Sequence, residues 1–476
     1  MWLSAQLKKS ISITLNSSNM QKVLSIFLLA LIMAGCSGTS SVSKQPQSPS
    51  WVQARPNVPD YYVGIGSARK TTPDYQQAAK QSALADLASD ISVVISANSA
   101  LNAFETHQGF FEDYTSNIRT EVQKELEGYE VAGTWEDQQN YWIYYQLSKE
   151  TYRRTMDQKK SAAGAKALDF YDKAITANES NDSKSALLLL IKALETIKPF
   201  INEDISVTHN GKQIFLGNEI INTLTNTLNA LTIKGPKEIE VMLGHPIKSG
   251  SLSYTVVNDR EIPQKLIPLK MIYSEDINPS STAITSPEGV ASFAIEAVRS
   301  RKSSVALKIE FDFASVIKEA TRDFAIGKIL LRMKVPVTET HITIIRPKFY
   351  VTSEEKNLNQ TNDKPILAET FKQKILAMGF PIANTPAEAD YIINLKANTQ
   401  PSGRSGQYVQ VNLNLQVNAT SREGNTVYTF SNDKINASHF TPEQAGISAY
   451  STAVKRIQNT VVSELIERII KGDRLY

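Results

Sequence analysis

A single cysteine in 476 residues limits how this chain can be held together. Cys36 closely follows a twelve-residue stretch, Val23 to Ala34, which is apolar except for Ser25 and comes after Lys22. A basic start, an apolar core of about 7–15 residues and small residues before the cut are typical of a secretory signal, whereas spanning a bilayer takes about 20 apolar residues. Because one cysteine cannot form an intrachain disulfide, the folded domains must depend on apolar cores and on contacts between them.

The residues around this cysteine, Met33-Ala34-Gly35-Cys36, resemble a bacterial lipobox, with Met33 where that motif usually has Leu. The resemblance implies cleavage before Cys36, a diacylglycerol on its thiol and N-acylation of the new amino terminus. Residues 1–35 are therefore the predicted signal peptide. A secretory signal without lipid is the alternative. Residues 1–19 are long and polar for the start of a signal, so Met20 is the predicted translation start.

Residues 36–50 are predicted to be a lipidated flexible tether, because they are rich in Ser, Pro and Gln. The net charge of +3 disappears with the signal peptide, which holds three lysines and no acid: 48 basic and 48 acidic residues remain. A nucleic-acid-binding protein needs a basic footprint, so nucleic acid is excluded as a predicted partner. The close-set basic residues between Lys149 and Lys166 are interpreted as the solvated face of a helix.

Residues 51–150 are predicted to form an α+β domain. Tyr61 to Ala68 is typical of a strand, and an alanine-rich helix over 75–89 presents a stripe that can lie close to a sheet. Gly64-Ile65-Gly66 is interpreted as a strand approached closely by other backbone, since it lacks the third glycine of a dinucleotide site. A strand at Ile91 to Ile95, a helix around 104–127 and a hairpin over 129–147 complete the domain.

This segment resembles the LPP-twenty-like outer-membrane lipoprotein family. The resemblance is carried by Trp51, Pro56, the run Tyr61 to Ala68, the alanine-rich helix and Ile91-Ser92-Val93. The same pattern occurs in the N-terminal domain of some flagellar ring proteins. The resemblance implies a location and a role in the cell envelope, and it brings no catalytic residues.

Residues 151–234 are predicted to be a helical connector, since apolar residues recur with helical spacing from Tyr171 to Ile197. A single tetratricopeptide-like hairpin is the alternative. Residues 235–335 hold short alternating runs separated by turn residues, which indicates a β-sandwich. The residues Ile267 to Lys270 and Ser286 to Ala291 are similar to bacterial immunoglobulin-like domains.

Residues 336–476 are predicted to be a C-terminal α/β domain. It contains a strand from Val335 to Ile345, a helix from Pro365 to Met378, a strictly alternating strand from Tyr408 to Val417 and a final helix over 442–470. The order of these elements is similar to the envelope domains of curli-secretion and penicillin-binding-protein-activator lipoproteins. The predicted fold class is multidomain α+β: an N-terminal α+β domain, a helical connector, an immunoglobulin-like β-sandwich and a C-terminal α/β domain.

The motifs of common catalytic and metal sites are absent from the sequence. There is no HExxH, GxSxG or GxxxxGK[ST] pattern, and the lipid would occupy the only thiol. None of the five histidines has another His or a Cys at ligand spacing: His107, His209, His245, His341 and His439. No metal, no cofactor and no enzymatic activity are therefore expected.

Aromatic side chains cluster in the N-terminal domain. Alternation along strands cannot place all of them inside, so some are expected to form a protein- or glycan-contact surface. The alternative is that they fill the core and edge of a small sheet. The residues are Tyr61, Tyr62, Trp135, Tyr141, Trp142, Tyr144 and Tyr145.

The sequence thus predicts a non-enzymatic outer-membrane lipoprotein that acts as a structural or assembly factor of the cell envelope. The alternative is an accessory lipoprotein that activates a cell-wall synthase or belongs to a secretion or flagellar complex. Ser37 after the anchor favours the outer membrane by resemblance to enterobacterial sorting, and exposure on the cell surface stays open. Expected partners are the membrane, through the lipid, and other envelope proteins or peptidoglycan; homo-oligomer formation stays open.

Overall fold

The computed structural model describes residues 47–91, 99–100, 126–273 and 280–472. Cys36 lies outside these residues, as do most of the predicted strand over 91–95 and of the predicted helix over 104–127. The chain divides into two compact units, residues 1–56 and 57–476. In the first unit the described residues form one short helix, α1 (Ser50–Gln53). The remaining elements belong to the second unit.

An antiparallel sheet of three strands comes first, in the order β1 (Tyr61–Arg69), β3 (Asn140–Ser148), β2 (Glu130–Glu136). Helix α2 (Tyr75–Asp90) packs on one face of it. The predicted strand, alanine-rich helix and hairpin are confirmed. Their buried residues form a core separate from that of the rest of the described chain.

Two glycines let α2 lie directly on β1. A Cβ on Gly66 would lie 2.2 Å from the Ala83 nitrogen, and one on Gly64 would lie 2.3 Å from the Ala83 oxygen. Ala79, Ala83 and Leu87 on the helix are fully buried at this contact. The close backbone approach predicted for Gly64-Ile65-Gly66 is therefore present, with an alanine stripe as its counterpart.

Three helices follow: α3 (Lys149–Glu179), α4 (Ser183–Thr196) and α5 (Leu216–Ala230). The helices predicted for residues 151–234 are confirmed, but a small hairpin interrupts them. Its strands are β4 (Ser206–His209) and β5 (Lys212–Phe215). The hairpin turn is Asn210-Gly211, both with positive φ, which is the pair that a tight two-residue hairpin turn favours.

Two further sheets share one core with these helices. The first has the order β10 (Ser280–Ile284), β9 (Pro268–Ile272), β12 (Ser304–Phe311), β13 (Val337–Ile345), β7 (Glu238–Met242). The second has the order β11 (Val290–Ser292), β8 (Ser253–Val257), β6 (Thr232–Lys234). The hydroxyl of Tyr254 on β8 hydrogen-bonds the Thr340 hydroxyl on β13 at 2.6 Å, so the sheets touch through their inner faces.

The predicted short strands of this region are therefore present, while an immunoglobulin-like arrangement does not follow from this strand order. Two short helices, α6 (Phe313–Ala320) and α7 (Phe324–Leu330), lie between β12 and β13 and were not predicted. Strand β13 corrects one placement. It pairs with β12 and β7, so it belongs to the sandwich-like sheets and not to the C-terminal region in which the sequence pattern put it.

Polar contacts join the helices to these sheets. At the turn between α3 and α4, Asn258 donates to Asn181 at 2.9 Å, and the Ser183 amide donates to the buried Gln264 side chain at 3.2 Å. At the far end of α4, the Lys198 ammonium donates to the Asp323 carboxylate at 2.6 Å. The helical segment is thus held at both ends of α4.

The C-terminal sheet has the order β15 (Gln360–Thr361), β14 (Phe349–Asn357), β16 (Tyr391–Ser405), β17 (Tyr408–Ser421), β18 (Thr426–His439). Strands β14 and β16 are parallel and connected through helix α8 (Ile366–Ala377), and the other pairs are antiparallel. Helices α9 (Pro442–Arg456) and α10 (Val462–Lys471), joined by one π-helical turn, cover one face. The predicted helices and the long alternating strand are confirmed.

A buried carboxylate fixes α8 to this sheet. Glu355 on β14 is 3% exposed and accepts hydrogen bonds from the Leu367 and Ala368 amides, at 3.1 and 3.0 Å. Amides of the first helical turn lack partners within the helix and carry partial positive charge, so they compensate a buried anion. Nearby, Tyr450 of α9 donates to the Lys356 carbonyl at 3.1 Å.

Replacing Gly66 by alanine should destabilise the N-terminal sheet by about 3 kcal/mol, because the added methyl group would overlap the α2 backbone. Amide hydrogen exchange of β1 and β3 measures this directly, since these strands have their own core. Gly250→Ala is the control, because nothing lies within 4 Å of the Cβ that it would add. Equal effects of the two substitutions would contradict the close approach.

Asp323 predicts a pH-dependent contribution to stability. Burial alone would raise the pKa of its carboxyl, but hydrogen bonds from Lys198 and the Ile326 amide outweigh burial and lower the pKa. A carboxylate with a lowered folded-state pKa stabilises the protein above the unfolded pKa, and this contribution is lost as the pH falls through the folded pKa. Asp323→Asn should therefore cost about 1.5–3 kcal/mol at pH 7 and less below about pH 4.

Denaturant unfolding of both proteins across this pH range measures the difference. Asn is as good a helix cap as Asp, so the substitution removes mainly the charge. Asp169→Asn is the control, because the Asp169–Lys173 pair is more than half exposed on both sides. A loss at Asp323 that stays constant with pH would show that the charge is not its source.

Candidate functional site

The N-terminal sheet divides the seven predicted aromatic residues between its two faces. Side chains alternate along a strand, and residues paired directly across two antiparallel strands share a face. Tyr62, Tyr141 and Tyr145 lie on the face that packs against α2. The other four lie on the opposite face, which we call the outer face: Tyr61, Trp135, Trp142 and Tyr144.

The residues of the α2 face are packing residues. Tyr145 is 1% exposed and meets the Tyr129 ring edge-on at 4.9 Å. Tyr62 packs edge-on against Tyr152 of α3 at 5.6 Å, and the Lys149 ammonium lies 5.3 Å from its ring centroid. Burial raises the pKa of the Tyr145 hydroxyl, which has no hydrogen-bond partner among the described residues. These three residues agree with the alternative that the aromatic side chains fill the core of the sheet.

The outer face is mixed. Trp135 and Trp142 are half-buried and contact each other at an interplanar angle of 48°, with ring centroids 5.0 Å apart, on directly paired positions of β2 and β3. Tyr61 is 40% exposed, whereas Tyr144 is only 6% exposed. Tyr144 and Tyr145 are therefore corrected from surface to buried residues. A contact surface in this module would consist of Tyr61 at one end of the outer face and the Trp135–Trp142 pair at the other.

Two carboxylates cap one edge of the sheet, at strand β1. The backbone amides of Val63 and Ile65 on β1 point away from β3 and donate to Asp90 at 3.1 Å and to Asp86 at 2.8 Å. Both acids are on α2, one turn apart. An unpaired edge strand is a template for another strand, and here helix side chains take the place of a neighbouring strand. No sequence pattern indicates this contact, because Asp86 and Asp90 look like ordinary solvated helix residues.

The basic segment that begins α3 is paired and solvated. Lys159 lies 3.1 Å from Glu127, and Lys160 lies 2.8 Å from Glu203, while Arg153 and Arg154 are exposed. Each of these cations is thus neutralised locally or left in water. This arrangement agrees with the interpretation of a solvated helix face.

A cleft of about 800 Å³ lies where the loop after β7 meets the C-terminal sheet and α10. Arg422 lies 3.5 Å from Asp390, and the Ser421 hydroxyl donates to Glu423 at 2.7 Å, which lowers the pKa of that carboxyl. The Arg468 guanidinium lies 5.8 Å from the ring centroid of Tyr428. Cations and anions alternate in this cleft and partly pair with one another, so it does not select a ligand of one charge.

The histidines are dispersed. His209 lies 2.8 Å from Asp172, His245 lines the cleft, His341 is exposed on β13, and His439 packs edge-on against Phe440. His107 is outside the described residues. Across the described part of the chain, no three His, Cys, Asp or Glu side chains are placed to hold a metal ion. In the same residues, no helix is both long and apolar enough to cross a membrane.

Comparison with known proteins identifies the N-terminal segment. Residues 49–148 match the model of the LPP20 lipoprotein family, which confirms the resemblance predicted for residues of about 51–150. The match covers the module built from β1, α2, β2 and β3. No curated protein matches the chain at a significant level.

Two solved structures align with part of the chain. One is described as a neuraminyllactose-binding hemagglutinin homolog from Helicobacter pylori; it is 10% identical and covers 26% of this chain and 90% of its own, with a TM-score of 0.21. The other is a minor lipoprotein from Acinetobacter baumannii, 15% identical over 26% of this chain and 92% of its own, with a TM-score of 0.18. At TM-scores this low, neither likeness carries an argument about function.

The outer face predicts where a partner would be captured. A photo-crosslinking phenylalanine analogue in place of Tyr61 should yield a crosslinked partner in intact cells, because this aromatic side chain is 40% exposed. Trp142 pairs with Ser67 and so lies at the other end of the outer face. Trp142→Ala in the same chain should reduce the yield several-fold by removing the aromatic surface at that end. The analogue at Lys173, an exposed position on α3, is the control. Equal yields at both positions would contradict a contact surface on the outer face.

Proposed function

We propose that this chain is a non-enzymatic lipoprotein of the bacterial cell envelope, held at the outer membrane by lipid on Cys36 and acting as a structural or assembly factor. One observation carries the proposal. A segment that matches a lipoprotein family begins at residue 49, a short tether after the lipobox-like residues Ala34-Gly35-Cys36. The anchor signal and the family match are independent features of the sequence, and both indicate attachment to a membrane by lipid.

The tether sets the position of the N-terminal module in this proposal. Residues 37–50 would span about 20 Å as a flexible coil. The module would therefore work close to the membrane surface, with the remaining domains farther along the chain. Its partner contacts would be the Trp135–Trp142 pair at one end of the outer face and Tyr61 at the other, since aromatic rings supply contact area at little cost in side-chain entropy.

The accessory role is the second candidate. The helix–strand–hairpin–helix order of residues 366–471 has the pattern that resembles the activator and secretion lipoproteins. In such a role the C-terminal sheet would contact one enzyme or one secretion complex. The partner crosslinked in cells separates the candidates: a single cell-wall synthase favours activation, and a ring-like assembly of this chain favours the structural role.

Cys36→Ala should release the protein from the membrane fraction, because the substitution removes the thiol to which the lipid would be attached. Cell fractionation and intact-mass measurement of the mature protein check this, the second by loss of the mass of the acyl groups. Ser43→Ala in the tether is the control and should leave both unchanged. If the wild-type protein carries no lipid mass, the anchoring proposal is wrong.

The non-enzymatic part is tested on the purified full-length protein in detergent. Release of soluble fragments from isolated cell-wall sacculi is measured by chromatography. Saturable turnover by this protein would overturn that part of the proposal, whatever the result at Cys36.

A further inference from the structure

The outward side of strand β17 consists of uncharged amides. Its fourteen residues alternate without a break, and the inward ones, from Val409 to Ala419, are all buried apolar residues. The strand contains no charged residue. Its outward positions between the two ends are Gln410, Asn412, Asn414, Gln416 and Asn418.

The neighbouring strands extend this pattern into a surface. Asn394 of β16 is paired with Asn418, and Gln400 of β16 is paired with Asn412. On the other side, Asn436 of β18 is also paired with Asn412. Directly paired side chains lie about 5 Å apart, and successive outward residues on one strand lie about 6.7 Å apart. We call this surface the amide face: Asn394, Gln400, Gln410, Asn412, Asn414, Gln416, Asn418 and Asn436.

These amides are free to bind something else. Within the described residues, no side chain of the amide face makes a hydrogen bond to the protein. Each amide can donate two hydrogen bonds and accept two. The surface therefore holds donors and acceptors in equal measure, at spacings fixed by the sheet and not by flexible loops.

The outward residues of β17 include a residue type that disfavours strands. Asn is depleted in strands, where Thr and other β-branched residues are favoured, yet β17 alone has three outward Asn. Ordinary solvated strands meet the same need for polarity with Thr, Lys or Glu. Places where local preference is broken without a structural reason are expected to be functional.

Two further features suit this surface to an extended polymer: a groove and an exposed aromatic pair. A groove of about 730 Å³ crosses it. Its lining includes Asn394, Gln416 and Asn418, together with one directly paired acid and base, Glu354 and Lys396. At the far end of the same strands, Tyr408 and Phe440 stack at 4.8 Å and are 42% and 56% exposed. An extended ligand could thus hydrogen-bond along the strands and stack on this aromatic pair.

We propose that the amide face binds a neutral, N-acetylated glycan strand. Acetamido and hydroxyl groups donate and accept hydrogen bonds at the same time, as the amides do. A polyanion would need a row of cations, whereas the described residues that line the groove include one, Lys396, which is paired with Glu354 and so offset by an acid. An amphipathic helix would need apolar residues, which the amide face lacks. The choice of an N-acetylated glycan rests on the proposed envelope role, whereas the surface itself does not depend on lipid at Cys36.

The test uses the full-length protein in detergent and soluble chito-oligosaccharides, with dextran as a glycan that lacks acetamido groups. Titration calorimetry should show saturable binding of the chito-oligosaccharide and none of dextran. The triple variant Asn414→Thr, Gln416→Thr, Asn418→Thr should weaken binding about tenfold or more, because several hydrogen bonds are lost together. Gln213→Thr on β5 removes an exposed strand amide elsewhere and should change nothing.

The triple variant keeps the test interpretable. Threonine favours strands, so its unfolding midpoint should equal or exceed that of the wild type, and weaker binding cannot be attributed to unfolding. Unchanged binding by the variant, or no binding by the wild type, would overturn the proposal. Equal binding of dextran would overturn the N-acetyl preference. Self-association that the variant abolishes, without glycan binding, would make a second copy the occupant and also overturn it.

Failure here is distinguishable from failure of the anchoring proposal. Membrane fractionation of Cys36→Ala does not involve the amide face, and chito-oligosaccharide titration does not involve the lipid.

Discussion

The burial of helix α4 is the contact on which the large core depends. Leu187, Leu190, Ile191 and Leu194 are fully buried, and each such side chain contributes about 1.5–3 kcal/mol by leaving water. The helix contacts α3 and α5 on the helical side and α6 on the side of the sheets. A segment between two domains normally has one buried face, whereas α4 is covered from several directions. Helices α3, α4 and α5, which the sequence predicts to be a connector, are therefore part of the same core as the sheets.

Polar contacts determine how α4 is oriented within that core. Apolar burial alone is not directional and would tolerate a helix that slides or rotates. The buried Gln264, bonded to the amide of Ser183, fixes one end, and the Lys198–Asp323 pair fixes the other. Breaking one partner of a buried polar contact leaves the other unsatisfied, which makes alternative positions of the helix costly. Specificity at this joint thus comes from a few hydrogen bonds placed around a large apolar contact.

Local sequence patterns correctly predict the elements whose structure depends on one segment alone. The alternation of β17, the alanine stripe of α2 and the paired glycines of β1 each predict a local structure that depends on neighbouring residues only. Such patterns do not predict which distant strand or helix a segment packs against. The pattern of β13 predicts a strand but not that it pairs with β7, more than ninety residues earlier in the chain. The helices α6 and α7 are eight and seven residues long, which is too short for helical periodicity to stand out. The pair Asn210-Gly211 indicates the hairpin of β4 and β5, because it favours a tight hairpin turn. The apolar spacing of the residues on either side predicts helices, so the hairpin was not predicted.

For the aromatic cluster, alternation correctly separated two faces but could not say what covers either one. Tyr144 and Trp142 point to the same side of β3, yet only Tyr144 is buried. The amide face was visible in the sequence as polar residues alternating with apolar ones. What the structure added is that three strands place their amides on one face, which on β16 is interrupted by Lys396 and by Asn398, whose amide bonds Asn359.

The capping of β1 by Asp86 and Asp90 has a consequence for crowding in two dimensions. Molecules confined to a membrane by a lipid meet one another far more often than the same molecules dispersed in a volume. In that setting an open strand edge close to the membrane would join neighbouring copies into ribbons. With its outward amides already bound to carboxylates, β1 offers a passing copy two negative charges in place of free donors. Under the proposed lipid anchor, copies in a densely populated layer are therefore not expected to pair through the β1 edge.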